Sequence, residues 1–279
     1  MKKFILCADG FGNNKDYNRA VLNGYSSGFL KSASIVANGE AFSSAVNDIL
    51  PECQKVSVGV HLNLTRGKSL TNCMLLTDGN CYFNQKFSDF VKLSKDNNAI
   101  NLIEKEFRAQ IEKVKATAQI YHINSVDNIH LIPEIFALVC KLAVEYEIPY
   151  VRTLNEELYY VPDFKHVFNI KYFSNIPQLV KFNQLTSANI NTLKSNALKT
   201  NKYIIGVGMH GLMDSKAVEY GLKTLADEDN ITVEGVIQPC SYLRDKNDYH
   251  AKEYKMTQDK ILEDTICRMG FEIISHKNI

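Results

Sequence analysis

Little in this 279-residue chain recruits a partner through charge: 32 Lys and Arg stand against 31 Asp and Glu, a formal net charge of +1. No broad field gathers nucleic acid or an acidic membrane, and no Lys/Arg run is long enough to supply a local one. Long hydrophobic runs are lacking as well. The N-terminal stretch Phe4-Ile5-Leu6-Cys7 is too short for a signal-peptide core or a membrane span, and Asp9 closes it. The seven Cys (Cys7, Cys53, Cys73, Cys81, Cys140, Cys240 and Cys267) are odd in number and contain no C-x-x-C pair. They read as scattered reduced thiols, and the expected compartment is cytoplasmic. There is no internal repeat and no low-complexity tract.

What is present is the balance of a globular chain, with 45% hydrophobic and 23% charged residues. Short apolar strands alternate with helical patterns, the signature of parallel β/α architecture. The candidate strands are Phe4–Ala8, Ala33–Ala37, Val56–His61, His122–Ile129, Tyr150–Thr153, Tyr203–Val207, Val233–Ile237 and Glu272–Ile274. Helical patterns cover Asp16–Ser26, Ala41–Leu50, Ile100–Ala118, Pro133–Tyr146, Ser215–Ala226 and Ala251–Met269. The expected fold class is α/β: one domain over residues 1–279, a TIM-like (β/α) barrel, irregular or incompletely closed. An open doubly wound sheet is the alternative. Two segments interrupt the alternation as insertions, one near 66–98 and an aromatic one near 154–197.

Three places carry candidate chemistry. Asp9 follows the first strand and precedes Gly10-Phe11-Gly12, which puts a carboxylate at the mouth of a sheet beside permissive backbone. In Gly59-Val60-His61-Leu62-Asn63-Leu64-Thr65, strand alternation puts His61, Asn63 and Thr65 on one face. Three polar groups on a buried strand need partners, either a ligand or an internal hydrogen-bond network. Continued alternation would group His122, Asn124, Val126, Asn128 and His130 on the fourth strand. His210, between Gly208-Met209 and Gly211, follows the sixth strand. Asp9 and His61 could serve as an acid/base pair, with His210 completing the site.

Ala8-Asp9-Gly10-Phe11-Gly12, Asn18-Arg19-Ala20-Val21, Ser32 to Asn38 and Gly59 to Thr65 resemble, in order and spacing, the YdjC/ChbG-like carbohydrate deacetylase family. Weaker similarities continue at His122 to Pro133, Val151-Arg152-Thr153, Gly206 to Gly211, Gln238-Pro239-Cys240 and Gly270 to Ser275. The resemblance implies a TIM-like barrel acting on N-acetylated sugars, with a divalent metal, Mg or Zn, activating water at the strand ends. It implies Asp9 as general base, His61 as metal ligand, and Arg152 and Asn63 as substrate-positioning groups. Thr65, His130 and His210 are further expected sugar contacts. The implied partner is a carbohydrate, with neither nucleic acid nor membrane, and a homo-oligomer is allowed.

The departures are as specific as the matches. Where the family has a second Asp and a ligating His, this chain has Gly10 and Val126; a further family His is replaced by Gln238. Only His61 remains at a family ligand position, whereas catalytic zinc uses three protein ligands. Two readings follow: an active deacetylase with a site relocated to Asp9, His61 and His130, or a metal-independent relative that binds sugar or runs a changed chemistry.

Overall fold

Runs of Val, Ile, Leu and Ala without polar alternation need cover on both faces. In the computed structural model, which describes residues 1–242 and 248–279, they form parallel strands. These are β1 (Lys2–Phe11), β2 (Ser32–Ile35), β3 (Ser57–Leu62), β4 (Ile120–Ser125), β5 (Tyr150–Val151), β6 (Tyr203–Ile205), β7 (Thr232–Ile237) and β8 (Phe271–Ile273). The order across the sheet is β5-β4-β3-β2-β1-β7-β6, and β8 adds to the start of β1. The sheet curls into a half-barrel. No ladder joins β5 to β6, so the expected barrel is not closed.

Side chains span that seam where the ladder is missing. Asn201 Oδ1 accepts from the Thr153 amide at 3.0 Å and its Nδ2 donates to the Thr153 carbonyl at 2.8 Å, so a side-chain amide stands in for a backbone rung. A single bridge, Tyr150 with Lys199, and a bond from Ile204 N to Asn155 O complete the seam.

Helices cover the outside and begin where short polar side chains cap them. Asn14, Asp96, Asp214 and Asp259 each accept backbone N–H groups at the start of Lys15–Ser26, Asn97–Lys115, Ser215–Thr224 and Lys260–Arg268. The cap at Asp259 divides the expected helix Ala251–Met269 into Tyr249–Met256 and Lys260–Arg268. The expected helix Ala41–Leu50 is helical but changes pitch, running as α over Phe42–Ser44, π over Ala45–Ile49 and 3-10 over Leu50–Glu52. No helix among the described residues is long and apolar enough to cross a membrane.

Both insertions are ordered. The aromatic one contains the 26-residue helix Ile170–Ser195. Its inward positions, Asn175, Leu179, Phe182, Thr186, Asn189 and Leu193, follow a helical period, but half of them are polar. Asn175 and Asn189 donate to the carbonyls of Gly208 and Leu131, and Thr186 accepts from Leu154 N. Satisfied polar groups on the buried face hide the apolar stripe that sequence reading looks for. The 66–98 segment is tied down by Glu106, fully buried on helix Asn97–Lys115, which accepts from Leu70 N, Thr71 N and Thr71 Oγ1.

The inside of the curl is polar at its centre. Arg152, just past β5, reaches Asp9 on β1 and Glu234 on β7, and all three side chains are at most 4% exposed. One guanidinium thus cross-ties three strands. Removing the cation from such a group leaves buried charge uncompensated, at a cost of about 3–5 kcal/mol. Arg152→Met should therefore lower the unfolding free energy by that amount, read as a lower urea midpoint at unchanged slope; a midpoint equal to the native one would show that the cross-tie contributes nothing.

Candidate functional site

Gly10 sits at φ +88°, where β1 shifts register between its pairings at Asp9 and Phe11. The resulting irregularity leaves Asp9 pointing into the curl at the C-terminal end of the strand. Its Oδ1 accepts from Ser34 Oγ (2.7 Å), Asn124 Nδ2 (3.0 Å) and Arg152 Nη2 (3.0 Å), and its Oδ2 from Arg152 Nη1 (2.6 Å). The guanidinium, aided by His61 and the hydroxyl of Ser34, outweighs burial and holds the carboxyl below the usual carboxylate range. Asp9 is a tightly held anion: Oδ1 meets three donors, and Oδ2 is held by the guanidinium.

Asn124 transmits this order to His61. Its amide nitrogen faces Asp9, so its carbonyl oxygen faces His61 Nδ1 at 2.7 Å. The proton therefore resides on Nδ1, and Nε2 keeps its lone pair. Burial lowers the pKa of the ring and keeps it neutral. His61 lines a cavity of about 160 Å³ together with Asp9, Arg152, His210, Gln238 and Glu253.

The remaining expected residues divide by position. β4 stops at Ser125, and Asp127 and Asn128 take left-handed conformations at φ 52° and 55°, so alternation does not continue to His130. His130 is fully buried, with Nδ1 against Ser125 Oγ at 2.6 Å and Nε2 against Arg152 O at 3.1 Å. Both ring nitrogens are engaged, and it does not line the cavity. Asn63 lies beyond the end of β3 and holds the following loop through Asn38, Thr65, Arg66 and Gln110. Thr65 Oγ1 donates to Asp127 in a neighbouring groove. His210 stands at the rim with its ring edge-on to Tyr249. Of the phenylalanines in the aromatic insertion, Phe182 lines the cavity, whereas Phe164 and Phe168 are exposed and do not line it.

Two carboxyl groups of the site gave no sequence signal. Glu253, on the helix Tyr249–Met256, is 3% exposed, lines the cavity and accepts from Gln238 N at 2.5 Å. Burial, reinforced by the charge of Asp9, raises its pKa to about 8. Glu156 takes the amides of Gly206 and Gly208 at 2.8 and 2.7 Å and fixes the loop that carries His210; burial raises it to about 7. Neither lies in a motif. A lone buried Glu has no distinguishing pattern in a sequence that holds many exposed ones.

A divalent ion at the family position needs donors beside His61. Gly10 and Val126 offer none, Asp9 Oδ1 is taken up by Ser34, Asn124 and Arg152, and Oδ2 already faces the positive charge of Arg152. His130, the third member of the relocated set, has no free nitrogen to give. The residues at the strand ends do not fit a metal.

Comparison with known proteins follows the same lines as the geometry. A carbohydrate deacetylase of Clostridium beijerinckii is 32% identical over 163 residues, which make up 56% of this chain and 63% of that protein. One from Brevibacillus brevis is 34% identical over 149 residues, 53% of this chain and 58% of that protein. The chain thus spans less than two thirds of the length of these curated relatives. A crystal structure from Enterococcus faecalis V583, named provisionally as a cellobiose-phosphate cleavage protein, superposes with a TM-score of 0.73 at 17% identity, covering 99% of this chain and 98% of its own. That likeness establishes the fold. The family model described as YdjC-like protein matches residues 3–267, from β1 into the helix before β8, and the chain belongs to that family.

Proposed function

We propose that this chain is a carbohydrate deacetylase-like protein that takes an N-acetylated sugar into the strand-end cavity and works there without a metal ion. Its half-barrel is read as an incompletely closed TIM-like barrel forming one domain, and its substrate as the class named for its relatives. The observation that carries the reading is the pairing, in one cavity, of a neutral imidazole with a bare Nε2 and a carboxyl raised to about 8. Two titratable groups pushed to opposite roles are what acid–base hydrolysis needs.

In this mechanism His61 Nε2 takes a proton from water as the oxygen attacks the acetyl carbonyl. Glu253, protonated at neutral pH, donates its proton to the departing amine. Arg152 uses four N–H groups on Asp9 and Glu234, which leaves one on Nη1 at the cavity wall. Asp9 orients Arg152 and, through Asn124, the tautomer of His61. The full engagement of Asp9 supports a second reading, a sugar-binding protein without turnover. Buried thiols without a disulfide, such as Cys53, Cys73 and Cys140, suit a cytoplasmic setting.

Calorimetry with N-acetylated mono- and oligosaccharides tests the shared claim. His61→Ala should weaken binding roughly five- to a hundredfold through the loss of one buried polar partner. No binding of any amino sugar by the native chain would refute both readings. If the chain turns over, acetate release should fall as pH rises through about 8, where Glu253 loses its proton. Glu253→Gln should then cut turnover by roughly 10²–10⁴, and an unchanged rate would remove Glu253 from the mechanism.

The same group sets a stability window. Between 4.5 and about 8 the unfolded chain releases the Glu253 proton while the folded protein keeps it, so its contribution to stability declines as pH rises across that range. Glu253→Gln should flatten this decline in thermal melts, leaving the variant more stable relative to native at pH 9 than at pH 4; parallel profiles would contradict the assignment.

A further inference from the structure

We propose that Cys7, His122 and His276 form a binding site for one zinc-class metal ion inside the curled sheet, a layer below the strand-end cavity. Cys7 and His122 precede Asp9 and Asn124 by two residues on β1 and β4, so they share their faces one step toward the N-terminal end. His276 enters from the short 3-10 turn His276–Asn278 that follows β8. The thiol and one nitrogen of each ring all lie within 4.8 Å of one another, and all three residues are buried.

Three features mark this cluster as a site rather than ordinary packing. Cys7 Sγ lies 3.5 Å from His122 Nε2, and the two imidazoles stack at 3.7 Å between centroids. Yet His122 Nδ1 and both nitrogens of His276 are buried with no hydrogen bond; His276 Nε2 makes only a 3.4 Å approach to Glu234 Oε1. Buried polar atoms in that state call for a ligand. Room is made deliberately for one ring: a Cβ on Gly59 would fall 2.2 Å from His122 Nε2.

Charge gives the third argument. With the imidazoles counted as neutral, Asp9 and Glu234 against Arg152 leave the interior one formal charge negative. A divalent ion that displaces the Cys7 thiol proton adds two positive charges and one thiolate, a net single positive charge, beside Glu234. The buried assembly is then neutral. Thiolate with two imidazoles is a donor set suited to zinc, at bond lengths of about 2.0–2.3 Å. Closing to those lengths requires the stacked rings to tilt apart, and the short turn that carries His276 is the element that can shift.

The test is metal analysis of the purified full chain after zinc supply and gel filtration, together with cobalt titration. We expect about one equivalent of zinc in the native protein and in His61→Ala, and less than about a tenth in Cys7→Ser and His276→Ala. Cobalt should give a thiolate charge-transfer band in the near ultraviolet that is absent from Cys7→Ser. Should those variants not fold, the band in the native chain and its persistence in His61→Ala decide the matter alone. Absence of both zinc and the cobalt band in the native protein overturns the proposal. So does zinc that survives Cys7→Ser, or zinc that is lost with His61→Ala, since either places the ion elsewhere.

Discussion

A guanidinium with two carboxylates, buried where strands converge, is the constraint to which the rest of this structure answers. Arg152 cannot shed its proton, so its charge must be met inside the protein. Asp9 meets it from β1 and Glu234 from β7, at 2.6 Å each. β5 itself is two residues long and forms no ladder with β6. The ion group and the amide of Asn201 therefore add, through side chains, to the few backbone bonds that cross the seam. Such a group is a poor source of net stability compared with apolar packing. Its value lies in direction: it fixes β1, β7 and the end of β5 relative to one another.

The chemistry of the cavity is a consequence of that fixed anion. With Asp9 committed to Arg152, Asn124 is forced into one amide orientation, and His61 into one tautomer. The anion also raises the carboxyl of Glu253, adding to the larger effect of burial. One carboxylate, held by the guanidinium, thus helps set the proton state of both His61 and Glu253. Where the resemblance implies metal ligands beside this aspartate, Gly10 and Val126 stand instead, and the guanidinium of Arg152 is the main counter-charge. One layer lower, the same excess of negative charge favours a cation among Cys7, His122 and His276.

Legibility in the sequence followed the range of the interactions involved. β1 to β4 and β7 stand out because buried parallel strands are apolar runs, and the helices between them because helical patterns alternate with those runs. Ile170–Ser195 was hidden because Asn175, Thr186 and Asn189 occupy its inward face, each satisfied by a distant partner. β4 seemed to run on to His130 because alternation gives no notice of the left-handed turn at Asp127 and Asn128. Asn63 and Thr65 looked like ligand contacts on a strand face, but β3 ends at Leu62 and both serve the loop that follows.

By itself the sequence determined the α/β class, the placing of Asp9 and His61 at the ends of strands, and the lack of donor atoms at positions 10 and 126. Each of these rests on residue identity or on a period of a few residues. Only the tertiary structure decided which polar groups share the interior: Arg152 with Asp9 and Glu234, Glu253 with His61, and Cys7 with His122 and His276. Those partners lie from tens to hundreds of residues apart, and nothing local distinguishes a buried Glu or His from an exposed one. Sheet register and burial bring them together, and the loss of water then sets their charge.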